Sequence, residues 1–318
     1  MDLIYTNSER VDQGVLSAYA FDLSYGASEN DFAMVIGMAE AMLDYGAFIY
    51  MEGTEYGGIV DAKKVTTNSE SITYMGRTWH GVLNSKVIQP DPGENYFTVS
   101  GDANEIIALL IVRLGLSELF TAKKEAAGID IGRYQFHRYC KGYDGMADMF
   151  SQNGAKLKMA WKNQTVELSA VPIVDYSKNP IDGDTTTLTV EQHGKKVNHL
   201  VCLGKGELSE REVIHLYVDQ NGNIGDTQYY TGVDEVTDIY ENSNTEDLRS
   251  DGVERFKELL DNDKAEITLP ENNVLAYDIG DIVEASDVQT GVAATASVTQ
   301  KIVRINNGAI STEYKTGR

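Results

Sequence analysis

Three residues in the stretch NHLVCLGKGELSEREVIHLYVDQNGN (198–223) are of types that do chemistry: His199, Cys202 and His215. Imidazole and thiolate can together hold zinc or form a nucleophile–base pair. The same stretch contains Gly204-Lys205-Gly206, which invites comparison with a phosphate-cradling loop. Spacing argues against each. Successive side chains of a strand face opposite ways, so His199 and Val201 share one face while Leu200 and Cys202 share the other. No CxxC or HExxH spacing gathers further ligands. A phosphate loop places four residues between its first glycine and a Gly-Lys pair, then Ser or Thr at the start of a helix. Here Glu207 follows and strand-like runs flank the segment, so a turn is the expectation.

Other candidates fare no better. DQNGNIGDTQYY (219–230) imitates a calcium loop through Asp219, Asn221 and Asn223. However, Ile224 stands where an EF-hand needs glycine, and Tyr230 where it needs a bidentate glutamate. An EF-hand is excluded, although an adventitious calcium ion on the 219–227 loop is not. His80, His137 and His193 are isolated in sequence, and no GxSxG, papain-like or Walker motif occurs. The sequence therefore assigns no catalytic, cofactor-binding or metal-ligating residue and no cofactor. Function is expected to reside in surfaces.

The composition sets what those surfaces can meet. The chain has 318 residues, enough for two or three domains, with 42% hydrophobic and 24% charged residues, as in a folded chain. Forty-nine acidic against 27 basic side chains leave a net charge of −22. Between Glu207 and Asp263 there are 16 acids and 4 bases, so this segment holds more than half of the excess. Such a surface repels phosphates, and direct DNA or RNA binding is not expected. The two cysteines, Cys140 and Cys202, are too few for a disulfide framework or a four-cysteine zinc site. The N-terminus MDLIYTNSERVDQ lacks a basic segment followed by an apolar run, so no signal peptide is expected. The longest apolar run, IIALLIV (106–112), falls far short of the roughly 20 residues that span a bilayer.

Around these residues the chain reads as strands, then a mixed segment, then strands again. GVLSAYAFDLSYG (14–26) alternates polar and apolar positions, with DFAMVIG (31–37) as its hairpin partner. GAFIYME, GGIVDAKKVTTN and ESITYMGRTWHGVLNSKVI (70–88) continue the strand pattern until QPDPGENY (89–96) ends it. SGDANEIIALLIVRLGL (100–116) predicts a largely buried helix capped by Asp102, with Glu105 three residues on. RYQFHRY predicts a strand, YDGMADMFSQNG (143–154) a helix with a glycine stop, and KLKMAWKNQTVELSAVPIV (156–174) a hairpin. Later strands are expected at 185–192, 197–206 and 211–219, with Asn221-Gly222 as a turn. A helix is expected near DGVERFKELLDN (251–262). Strands at 265–270, 277–287, 294–308 and 309–317 follow, the last two joined at Asn307-Gly308.

Taken together, YMGRTWHGVLNSKVIQP, YFTVSGDANEIIALLIVRLG, NHLVCLGKGELSEREVIHLYVD, AYDIGDIVEA and VTQKIVRINNGAISTEYKTG resemble the hub proteins of phage tails. The likeness is to the siphophage tail-hub family, including the N-terminal part of tail-associated lysins, and the fold is similar to the baseplate hub of contractile phages. It implies an α+β, mainly β fold. Two similar tube-type β-barrel domains (1–97 and 177–318) would flank a small α+β domain (98–176), the second barrel with a helical insertion around 230–263. It implies a homotrimer that adapts a six-fold tail tube or distal tail ring to a three-fold tip. DNA would pass through its channel without specific binding, and the acidic balance suits such a lumen. Its partners would be the distal tail or tail tube protein, the tape-measure protein, and a separate spike, fibre or lysin, since the sequence ends soon after the last barrel strands. The protein would be made in the host cytoplasm and reside in the virion tail tip, with no membrane partner and no enzymatic activity. The competing expectations are a tail-tip cell-wall hydrolase or peptidase, and the equivalent hub of a contractile injection system.

Overall fold

The computed structural model describes residues 2–26, 29–40, 42–177, 187–191, 196–243, 247–260, 264–268, 277–287 and 292–317. The chain divides into two compact units. The first comprises Met1–Leu188 and Glu266–Arg318, and the second Thr189–Ala265. The fold is mainly β with few helices, the α+β class expected from the alternating runs.

A ten-stranded sheet organises the first unit. Its order runs Asp12–Leu16, Leu3–Thr6, Phe48–Tyr50, Gly57–Val65, Ser71–Thr78, Asp31–Gly37, Tyr19–Gly26, Val292–Asn306 and Ile282–Asp287, with Ala309–Gly317 also paired to Val292–Asn306. Tyr19–Gly26 and Asp31–Gly37 form the antiparallel hairpin that their alternation predicts, with Asp22 opposite Ala33. The opposite edge of Tyr19–Gly26 is taken by Val292–Asn306, with Val303 opposite Leu23. This path is open: among the described residues its ends do not pair with one another, so it is not a closed barrel. Period-2 alternation specifies strands and their faces, but closure depends on which distant edges meet. The inward residues Phe21, Leu23, Phe32, Met34, Tyr74, Val303 and their neighbours form one apolar core.

A second core in this unit gathers three helices and a three-stranded sheet. The helices are α1 (Trp79–Asn84), α2 (Ala103–Arg113) and α3 (Gly142–Gln152). The strands are Phe120–Ala122, Thr165–Pro172 and Ala155–Lys162. Asp102 caps α2 as expected, its carboxylate accepting from the Asn104 backbone N–H at 2.9 Å. The hairpin turn Asn163-Gln164 is left-handed at both residues, which suits a two-residue hairpin loop. One expectation fails. The run 70–88 is not continuous strand, because α1 interrupts it after Thr78. Thr78 is its N-cap, its hydroxyl accepting from Gly81. Burying Trp79, Val82 and Leu83 in the second core outweighs the strand preference of the flanking residues.

The second unit is a four-stranded sheet under one helix. Its order is Ile224–Gly225, Val213–Val218, His199–Leu203 and Thr237–Glu241, the last pair parallel. Helix α4 (Leu248–Leu260) covers one face, with Leu248, Phe256 and Leu259 against Leu200, Cys202 and Leu216. Burying a side chain such as Phe256 is worth about 1.5–3 kcal/mol. The helix sits close because it presents Gly252 to Cys202; a Cβ there would lie 2.5 Å from Sγ. Gly252→Ala is therefore expected to lower stability by about 1–3 kcal/mol, despite alanine's better helix propensity. Adding Cys202→Ala should restore most of the loss in urea unfolding. A destabilisation that persists unchanged in the double variant would refute this packing account.

No helix among the described residues is long and apolar enough to cross a membrane.

Candidate functional site

The reactive-looking residues of 198–223 lie in the second unit, and its sheet decides which can meet. Cys202 is fully buried under α4, on the face away from both histidines, and burial raises its thiol pKa. A thiol–imidazole pair is therefore absent. Lys205 is exposed in a turn closed by two backbone hydrogen bonds, Gly204 N–H to Glu212 O (2.9 Å) and Glu212 N–H to Lys205 O (2.8 Å). Those two amides are spent on the turn, so this is not a phosphate cradle. Asp219 accepts from the Asn221 and Asn223 backbone N–H groups and from the Asn223 side-chain amide. These bonds, the Asn223 side chain first, hold its carboxyl below the usual range. The carboxylate thus caps its own turn. His137 belongs to no group of three or more metal-ligating side chains among the described residues, and His193 lies outside them.

His199 and His215 do meet. They lie on adjacent strands, with His199 opposite Tyr217 and Val201 opposite His215, so their side chains are diagonal neighbours on one face. His199 Nε2 stands 2.8 Å from His215 Nδ1, and His199 Nδ1 stands 2.7 Å from Glu235 Oε1. Tyr217 stacks on the His199 ring at 4.4 Å. A carboxylate only accepts, so with both rings neutral His199 donates from Nδ1 to Glu235 and accepts at Nε2 from His215 Nδ1–H. Gln228 Nε2 donates to the same Glu235 oxygen at 3.0 Å. Among the described residues no group of three or more His, Cys, Asp or Glu side chains is placed to hold a metal ion.

The first unit contains a charged cluster that sequence reasoning missed. Lys301 Nζ donates to Glu55 Oε1 at 2.6 Å and lies 3.6 Å from Asp278. Lys156 Nζ donates to Asp281 Oδ1 at 2.6 Å. The Tyr25 hydroxyl donates to Glu55 at 2.7 Å, and Asp281 also accepts from the Val174 and Asp278 backbone N–H groups. Glu55, Asp278 and Lys301 face a cavity of about 350 Å³, together with Tyr56 and Lys158. Burial alone would raise the Glu55 pKa, but the Lys301 charge and its hydrogen bond bring it below the ordinary value. Burial opposes the Lys301 charge, yet Glu55, Tyr56 and Asp278 together hold its pKa well above the usual lysine range. A lysine held charged is no nucleophile, and a carboxyl held ionised is no general acid. The cluster is a clamp between the loop at Glu55 and the strand Val292–Asn306. Its signal was present in the sequence. Lys301 falls in period 2 with Val303 and Ile305, which puts a lysine on the inward face.

His80 lies beside this clamp, 2% exposed, stacked on Tyr25 at 4.5 Å. Burial lowers its pKa to about 4, against a smaller opposing pull from Glu55. Its Nδ1 has no hydrogen-bond partner among the described residues.

No protein-family model matches the sequence, and no curated protein matches it. Solved structures do match, over the full chain and at low identity. The prophage tail protein gp18 from Listeria monocytogenes EGD-e is 13% identical, with a TM-score of 0.58 over 100% of this chain and 94% of its own. The 43 kDa tail protein of prophage MuSo2 from Shewanella oneidensis is 12% identical, with a TM-score of 0.57 over 100% and 98%. A chain of the phage P2 baseplate in its activated conformation with Ca is 10% identical, with a TM-score of 0.53 over 99% and 98%. The fold is thus that of phage tail and baseplate proteins.

Proposed function

We propose that this protein is a structural component of a phage or prophage tail: the trimeric hub at the tail tip. The observation that carries this reading is the coverage. Three tail or baseplate chains align over 99% or more of this chain and 94% or more of their own lengths, so the likeness extends to the whole architecture. In this role the trimer adapts a six-fold tail tube or distal tail ring to a three-fold tip, which receives a separate spike, fibre or lysin. Closed cyclic assembly with large interfaces suits such a ring. Its channel passes DNA and the tape-measure protein. Exposed acids of the second unit, among them Glu207, Glu210, Glu212 and Asp226, suit a wall that does not hold DNA. The protein acts in the virion by assembly and not by catalysis, in keeping with charged side chains that are paired with one another.

The three-part organisation, 1–97, 98–176 and 177–318, belongs to the same proposal. One core draws on residues 3–74 and a second on 79–170, while two smaller ones lie within 197–260 and 277–314. The parts are joined: Phe48 and Tyr50 enter the second core, Val303 and Ile305 the first, and the strands of 282–317 share the ten-stranded sheet with those of 3–78.

The purified chain is expected to sediment at about three times its 35.0 kDa mass, alone or with its distal tail protein, and to form three-fold rings in electron micrographs. A strict monomer in both conditions would overturn the hub reading. Clear lysis of bacterial cell walls in a zymogram would overturn its non-enzymatic part.

A further inference from the structure

We propose that His199 and His215 form a two-imidazole site for a divalent transition cation of the zinc type, with its remaining positions open to water. This inference is independent of the tail-tip reading. It rests on three features of the second unit. The first is convergence: two ring nitrogens from adjacent strands face each other at 2.8 Å, on the sheet face opposite α4. The second is orientation. Glu235 takes the Nδ1–H of His199 at 2.7 Å, which leaves the Nε2 lone pair of that ring directed at His215. A carboxylate on the far nitrogen is the outer partner that fixes the tautomer of a metal-bound histidine and raises its basicity. The third is access. His199 is buried and stacked on Tyr217, whereas His215 is exposed and can move.

The adjustment required follows from the geometry. With zinc–nitrogen bonds of about 2.0–2.1 Å and a tetrahedral angle, two ligating nitrogens stand about 3.3 Å apart. The rings must therefore part by about 0.5 Å relative to the hydrogen-bonded pair, and both must turn by about 35° so that their lone pairs converge on the ion instead of on each other. His215 shifts its proton from Nδ1 to Nε2, so both ligating nitrogens are bare and no net proton is released. Imidazole favours zinc, copper and nickel over calcium and magnesium, which separates this site from the many surface carboxylates.

Isothermal titration of the full chain with Zn²⁺, in excess Mg²⁺ to occupy the acidic surface, tests the assignment. One saturable ion per chain is expected. His215→Gln and His199→Gln should each weaken it at least about tenfold, and Glu235→Gln about 10- to 100-fold, the range for outer partners. His215→Gln is the decisive variant, since an exposed side chain can be replaced without disturbing the core; an unchanged far-ultraviolet circular dichroism spectrum verifies this. Absence of a saturable site in the wild type would overturn the proposal, leaving a hydrogen-bonded pair only. An isotherm unchanged in His215→Gln would overturn it equally, placing the ion elsewhere.

Discussion

Lys301→Met is expected to lower unfolding stability by about 3–5 kcal/mol, the range for leaving one partner of a buried ion pair without the other. Lys301 and Glu55 expose only 8% and 15% of their side chains, so the pair is largely desolvated. Removing the lysine leaves the Glu55 carboxylate with Tyr25 alone, in surroundings that disfavour its charge. The clamp also has a topological role, because it ties Val292–Asn306 to a loop 246 residues earlier. Glu55→Gln should be milder, since the amide still offers an oxygen to Lys301. The double variant Glu55→Gln/Lys301→Met should lose less than the sum of the two single losses, by about 0.5–3 kcal/mol, as expected for residues in contact. Additive losses in urea unfolding would show that the pair does not act as a unit.

His80 should make the protein acid-sensitive well above the range where carboxylates titrate. Its pKa falls from the ordinary 6.5 to about 4 in the folded chain, because burial disfavours the imidazolium. Between those values the unfolded chain binds a proton that the folded chain refuses, so stability falls as pH drops from 6.5 towards 4. A gap of this size corresponds to about 3 kcal/mol, fully lost once pH is below both values. Glu55, with its pKa depressed, adds to the loss at lower pH: its contribution is present above the unfolded value and disappears as pH falls through the folded one. In His80→Phe, which keeps an aromatic ring against Tyr25, the stability lost between pH 7 and pH 4 should be smaller by about 3 kcal/mol. Equal losses in the two proteins, measured by urea unfolding at each pH, would remove His80 as the source.

Much of the local structure was legible in the chain. Period-2 alternation located the hairpin of Tyr19–Gly26 with Asp31–Gly37, and Asp102 marked the start of α2. Asn307-Gly308, left-handed at both residues, marked the final hairpin. These features depend on neighbours a few residues apart, and propensity, capping and turn geometry act at that range. Alternation likewise placed Cys202 away from His199, and the sheet agrees, since Cys202 lies under α4.

Longer-range facts were not legible, and the reason is physical. Alternation states which face a side chain occupies but not which strand lies beside it. It could not bring His215 diagonally next to His199, nor set Glu235 behind that pair, because the register between strands does so. It could not foresee that Val292–Asn306 would pair with Tyr19–Gly26 and deliver Lys301 to Glu55. Nor could it show that burial would hold His80 neutral, since desolvation depends on everything packed around the ring. The sequence by itself determined the strand-rich class, the turns, the caps and the acidic surface, all local or additive properties. Only the tertiary structure decided which charges became a clamp and which histidines became a pair, because those depend on the meeting of distant edges.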